Sequence, residues 1–132
     1  MKTTNYYNTF IEVSEDCPAG TAEIPPVRGE SRSAANIQFD MMSRHPYRFT
    51  SDDVIFQVFA TKNNVGKSAW EEFFSKGQAC LRASPLVKRY GWGVHCDAEG
   101  KVAIYGIGSA EYEQYLKSKE LAHVKGMRSK RV

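Results

Sequence analysis

The stretch Gly91-Trp92-Gly93-Val94-His95-Cys96-Asp97-Ala98-Glu99-Gly100-Lys101-Val102-Ala103-Ile104-Tyr105-Gly106-Ile107 decides the fold class. Two alternating runs, residues 91–97 and 101–107, are joined through Asp97-Ala98-Glu99-Gly100. Such a pattern around a short loop of turn formers predicts an antiparallel hairpin. Successive strand residues point to opposite faces. Trp92, Val94 and Cys96 therefore share one face of the first strand, and Gly91, Gly93 and His95 share the other. The second strand sets Val102, Ile104 and Gly106 against Ala103, Tyr105 and Ile107.

After the hairpin, Ser109 is placed to cap a last helix, with Glu111 in its first turn and Tyr112, Tyr115 and Leu116 as apolar contacts. Before it, Ser68-Ala69-Trp70-Glu71 reads as a capping box opening a helix to about Arg82, with Trp70, Phe73, Phe74, Gly77 and Leu81 facing inward. Val54 to Ala60 alternates and reads as a strand, preceded by a turn at Thr50-Ser51-Asp52-Asp53. Ser33 caps a helix to about Arg44, which His45-Pro46 terminates. Residues 15–32 contain Pro18, Gly20, Pro25, Pro26 and Gly29 and form a long loop. Residues 8–14 form a first strand. The expected order is β-α-β-α-β-β-α. The expected fold is α+β, a mostly antiparallel four-stranded sheet with about three helices packed on one face.

A chain of 132 residues suits one domain. The expected domain spans residues 1–122, and residues 123–132 form a frayed basic tail. From Lys117 onward six basic residues face Glu120 alone, a net of +5 within a total of +3, so the remainder carries −2. The fold itself is thus not basic. Cys17, Cys80 and Cys96 are scattered, with no C-x-x-C pair or zinc-ligand spacing, which suits reduced thiols. The N-terminus lacks a signal-peptide apolar core, and no apolar run is long enough for a bilayer. These features predict a cytoplasmic protein without a membrane partner.

Most apparent motifs dissolve on inspection. Gly66-Lys67-Ser68 resembles the end of a phosphate-binding loop, but the position five residues before Gly66 is Thr61, not glycine. Ser84 and Lys88 are four apart rather than three, and Pro85 disfavours a helical Ser84. Asp52-Asp53 reads as a cap and a surface charge, so no metal is expected. His95 and Cys96 point to opposite faces and cannot pair as nucleophile and base. No cofactor motif survives.

The segment Lys88-Arg89-Tyr90-Gly91-Trp92-Gly93-Val94-His95 is the exception. It brings two cations, two aromatics and an imidazole together. Gly91 and Gly93 bare the backbone on the face of His95, open to a packed helix or to a ligand. Lys88, Arg89, Tyr90 and His95 are therefore the candidate binding residues, suited to an anionic group. No catalytic residue is assigned.

Three stretches carry a family resemblance: Met1-Lys2-Thr3-Thr4-Asn5-Tyr6-Tyr7-Asn8-Thr9-Phe10-Ile11-Glu12-Val13, Thr50-Ser51-Asp52-Asp53-Val54, and Ser84-Pro85-Leu86-Val87-Lys88-Arg89-Tyr90-Gly91-Trp92-Gly93. Together they resemble an uncharacterised bacterial family of small proteins, a domain of unknown function, from Met1 to about Tyr115. The resemblance implies a bacterial, cytoplasmic, single-domain protein and implies no activity.

Three functions compete on these grounds. The expected one is a non-enzymatic module binding a small ligand or a protein. The first alternative is a small enzyme using His95 as general base with Arg89 or Lys88 holding an anion. The second is weak nucleic-acid association through the tail, disfavoured because no recognition motif accompanies the charge.

Overall fold

The computed structural model of the chain describes residues 1–129. Among these the fold is α+β, with one four-stranded sheet, five α-helices and two short 3-10 turns. The strands are β1 (Thr9–Glu12), β2 (Trp92–Cys96), β3 (Val102–Gly106) and β4 (Ala122–Lys125), in the order β3-β2-β1-β4. The helices are α1 (Ala34–Arg44), α2 (Ser51–Asn63), α3 (Trp70–Phe73), α4 (Pro85–Lys88) and α5 (Ala110–Lys117).

The hairpin forms as its alternation predicts, with Val94 opposite Ile104 and His95 opposite Ala103. β1 pairs antiparallel with β2, setting Phe10 opposite His95. On its other side β1 pairs parallel with β4, setting Phe10 opposite His123. The sheet is therefore mixed, with two antiparallel pairings and one parallel pairing. Parallel pairing needs a long crossover, and α5 lies within the crossover that returns the chain to β4.

The helices also cover both faces rather than one. Ile11, Val94, Cys96, Val102 and Ile104 pack against Ala35 and Met42 of α1, Val54 of α2, and Leu86 and Val87 of α4. Phe10 points the other way and packs with Val13 and with Tyr112 of α5. Gly93 is on that second face for a packing reason. A Cβ there would lie 2.7 Å from Tyr112 and 2.8 Å from Phe10.

The expected strand at 54–60 is helical. Thr50 and Asp53 form a reciprocal capping box: the Thr50 hydroxyl accepts from the Asp53 amide, and the Asp53 carboxylate accepts from the Thr50 amide. What reads as a turn is thus the N-cap of α2. Asp52 is not a surface charge but is buried beneath the N-terminus. Its carboxylate accepts from the Thr4 amide, the Thr4 hydroxyl and the Thr3 hydroxyl, each at 2.7 Å.

The expected helix from Ser68 to Arg82 is also much shorter. Residues Lys67–Ala69 form a 3-10 turn with no side-chain cap, and α3 ends at Phe73. One turn suffices because Trp70, Phe73 and Phe74 stack on Phe56 and Phe59 of α2. Beyond it, Ser84 caps α4, accepting from the Leu86 amide and donating to Gln38.

The basic tail is a structured element as far as it is described; residues 130–132 lie outside the described residues. Beyond β4, the Gly126 amide donates to the Glu12 carbonyl and the Met127 amide to the Arg82 carbonyl. Lys125 and Arg128 both pair with Glu15, and the Lys125 ammonium above all holds that carboxyl down to about 2. Hydrogen bonds and ion pairs dock the segment that its scarcity of apolar residues would leave frayed.

Gly126 gives a direct test. A Cβ there would sit 2.2 Å from Val87 and 3.1 Å from the Ser14 amide nitrogen. Gly126→Ala should lower the unfolding free energy by about 1–3 kcal/mol, the usual cost of overpacking. Urea denaturation measures it. A frayed tail would give a change within about 0.5 kcal/mol.

Candidate functional site

The four sequence-nominated residues do not converge. Lys88 ends α4, and Arg89 is its exposed C-cap. Tyr90 packs on the cluster around Ile11, Leu86 and Val94. His95, by strand parity, lies on the other face of the sheet, where its ring stacks on Tyr115 of α5 at 4.3 Å. Trp92 is half-buried, with its indole donating to the Glu23 carbonyl at 2.8 Å. Gly91 has a φ of +79° and abuts Thr21 and Ala22, so the long loop, not open space, covers it.

His95 instead joins a polar cluster. The Tyr47 hydroxyl lies 2.8 Å from His95 Nδ1, 2.8 Å from the Tyr105 hydroxyl and 3.3 Å from the Tyr115 hydroxyl. Backbone pairing puts it there. The Tyr47 amide donates to the Val102 carbonyl, and the Val102 amide donates to the Phe49 carbonyl, so residues 47–49 run along the outer edge of β3. From that edge the Tyr47 ring crosses Ala103, whose methyl leaves room, to reach His95 on β2. Tyr47 itself has a φ of +61°. Bulky residues rarely adopt this left-handed conformation, and strain of this kind gathers at functional sites.

A phenol donates once and accepts twice. Tyr47 can therefore donate to His95 Nδ1 while accepting from Tyr105 and Tyr115, or accept from an Nδ1–H and one of the two phenols while donating to the other. Burial lowers the His95 pKa, with Asp97 opposing weakly, and burial raises those of Tyr47 and Tyr105. Cys96, on the opposite face, is pushed up to about 12 by burial and is an inert thiol. Among the described residues no group of three or more His, Cys, Asp and Glu side chains is placed to hold a metal ion.

A second feature is concave. A cleft of about 530 Å³ is lined by Met41 of α1, Phe49, Asp53, Phe56 and Gln57 of α2, and Lys67 and Trp70. Its floor is apolar and aromatic. Asp53 is there because it closes the capping box, which leaves its Oδ1 without a hydrogen bond to the described residues. The Lys67 ammonium makes no ion pair or hydrogen bond among the described residues, and the residue is exposed. Sequence reading missed this cleft because it rests on α2, read as a strand. It missed Tyr47 because only His45-Pro46, the helix stop, attracted notice. The pairing of Tyr105 diagonally to His95 was available from the hairpin register.

The class defined by this architecture is an α+β fold with a mixed sheet covered on both faces, an aromatic-floored cleft and a phenol–imidazole cluster. The chain belongs to a family of unknown function, DUF6157, whose model matches residues 1–132. No curated protein and no solved structure matches the chain. Among the described residues no helix is long and apolar enough to cross a membrane.

The cluster predicts a pH effect. The folded state binds the His95 proton less readily than the unfolded chain, whose ordinary value is 6.5. The stability contributed by neutral His95 is then complete above that value and is lost as pH falls through the lower folded one. His95→Gln keeps an acceptor for Tyr47 but cannot titrate. Urea midpoints of wild type should fall more steeply than those of the variant between about pH 7 and 5. Parallel curves would show that His95 does not titrate abnormally.

Proposed function

We propose that the protein is a non-enzymatic binding module for a small molecule with a flat apolar body and one anionic group, held in the cleft between α1, α2 and residues 67–70. A single observation carries this reading. An aromatic floor of Phe49, Phe56 and Trp70 is rimmed by an unpaired ammonium, Lys67, with no competing carboxylate bound to it. Ligand sites commonly combine about 300–1,000 Å³ of mostly apolar space with a few polar groups that fix orientation. A ring on Trp70 and Phe56 would gain stacking and burial. Lys67 would then take the anion, and Asp53 or Gln57 would accept from a donor on the ring.

The alternatives gain less support. Enzymatic use of His95 wants an anion-holding cation beside it, and Lys88 and Arg89 are elsewhere. Nucleic-acid association rests on the charge of the tail, and two of its six cations, Lys125 and Arg128, are engaged by Glu15. We also read the protein as bacterial and cytoplasmic, in keeping with three free cysteines.

The test is a titration of aromatic carboxylates, benzoate, naphthoate and indole acetate, against their neutral amides. Indole fluorescence follows binding, because Trp70 lines the cleft. The carboxylates should bind at least about tenfold more tightly than the amides, and Lys67→Met should remove that preference, an effect of about 1.4 kcal/mol. Lys67 is exposed, so the variant should fold normally. Equal binding of acid and amide, or a preference unchanged in Lys67→Met, would reject the site.

A further inference from the structure

The cleft between α1, α2 and residues 67–70 holds two opposite charges that do not meet. Asp53 and Lys67 both line it, yet they form no ion pair with each other or with any other described residue. Asp53, Phe56 and Gln57 stand at i, i+3 and i+4 and so share one face of α2. The Thr50 amide occupies Oδ2 of Asp53 at 2.9 Å and leaves Oδ1. Gln57 Nε2 donates to the Thr61 hydroxyl at 2.9 Å, which leaves Oε1. Two unused acceptors therefore stand one helical turn apart, with Phe56 lining the same wall.

We propose that the cleft selects an aromatic zwitterion, a ring carrying both a carboxylate and a protonated amine, with the aromatic amino acids as the simplest class. This rests on the ligand reading of the cleft and adds the cationic half. An ammonium has three donors and no acceptor, so it satisfies Asp53 Oδ1 and Gln57 Oε1 together. A neutral ring N–H has one donor, and would leave one acceptor and the charge of Asp53 unmatched. The aromatic lining suits the ammonium too, since cations are attracted to the faces of rings such as Phe56 and Trp70. At the rim Lys67 takes the carboxylate. A purely anionic ligand would enter the field of Asp53, and a purely cationic one the field of Lys67. A ligand with both charges is attracted by both residues, through charge-assisted hydrogen bonds.

The capping box does not account for the charge on Asp53. The box needs only an oxygen at the third helical position, and a neutral amide supplies one. In α1 the same place is filled by Asn36, which accepts from the Ser33 amide at 2.9 Å. The cap of α2 would therefore form with asparagine, and the carboxylate remains as a charge presented to the cleft.

The experiment is a calorimetric titration of the full chain with three probes that differ by one group. These are L-tryptophan, indole propionate, which lacks its amine, and tryptamine, which lacks its carboxylate. L-Tryptophan should bind at least about tenfold more tightly than either. Asp53→Asn should abolish its advantage over indole propionate and keep that over tryptamine, whereas Lys67→Met should do the reverse. Asp53→Asn should retain the wild-type circular dichroism; if it fails to fold, the wild-type series decides alone. Indole propionate binding as tightly as L-tryptophan would overturn the zwitterion and leave the anionic-ligand reading standing. An advantage over indole propionate that survives in Asp53→Asn would overturn it too, because the amine would then lie elsewhere. Tryptamine binding as tightly as L-tryptophan would remove the role of Lys67 and overturn both readings. Binding of none of the three would overturn the zwitterion, and the naphthoate titration then shows whether the anionic reading falls with it.

Discussion

Burial of β1 on both faces is the constraint on which the rest of the structure depends. Phe10 and Ile11 are adjacent, point in opposite directions and are both fully buried. A strand with one wet face needs only one layer of helices, whereas this strand needs two. α1, α2 and α4 answer to Ile11, and α5 answers to Phe10. The same strand is internal in the sheet, with β2 on one side and β4 on the other, so both of its edges are paired. Removing Phe10 or Ile11 would open a cavity in one layer, at about 2–5 kcal/mol for an alanine.

The two layers differ in chemistry. The Ile11 side is an aliphatic core that seals Cys96. The Phe10 side is aromatic and polar. Phe10 stacks on Tyr115, Tyr115 stacks on His95, and Tyr47 closes the row. The N-terminus ties β1 to the cleft-bearing helix. Thr3 and Thr4 bind the Asp52 carboxylate, and the Asp52 amide in turn donates to Asn5 at 2.9 Å. A buried carboxylate with three donors is well compensated; deprived of them it would be costly. The clamp therefore fixes where α2, and with it Phe56 and Gln57 of the cleft, sits relative to the sheet.

Much of the hairpin and of α1 and α5 was legible, because alternation and caps are local signals. Ser33 and Ser109 cap their helices as read, though Asn36 rather than an acid completes the box at Ser33. Two other features depended on partners distant in sequence. Val54 to Ala60 is rich in β-branched and aromatic residues, so strand propensity and a helix cap disagreed. The Thr50–Asp53 box and the Asp52 clamp decided for helix. Ala122-His123-Val124-Lys125 has only a weak strand pattern and became β4 because β1 offered a free edge. The candidate site was half legible for the same reason. His95 was visible as an unusual residue beside two glycines. The glycines, however, serve close packing, against Tyr112 at Gly93 and against the long loop at Gly91. Tyr47, which does meet His95, is 48 positions away.

The internal position of β1, with β4 docked in parallel, is the central claim, and amide hydrogen exchange tests it most directly. The Ala122 amide donates to the Asn8 carbonyl, and the Gly126 amide donates to the Glu12 carbonyl. Both should exchange far more slowly than in an unstructured chain, and Gly126, which is buried, should approach the protection of β2 and β3. Exchange of both amides at the rate of an unfolded peptide, with β2 and β3 still protected, would contradict the account.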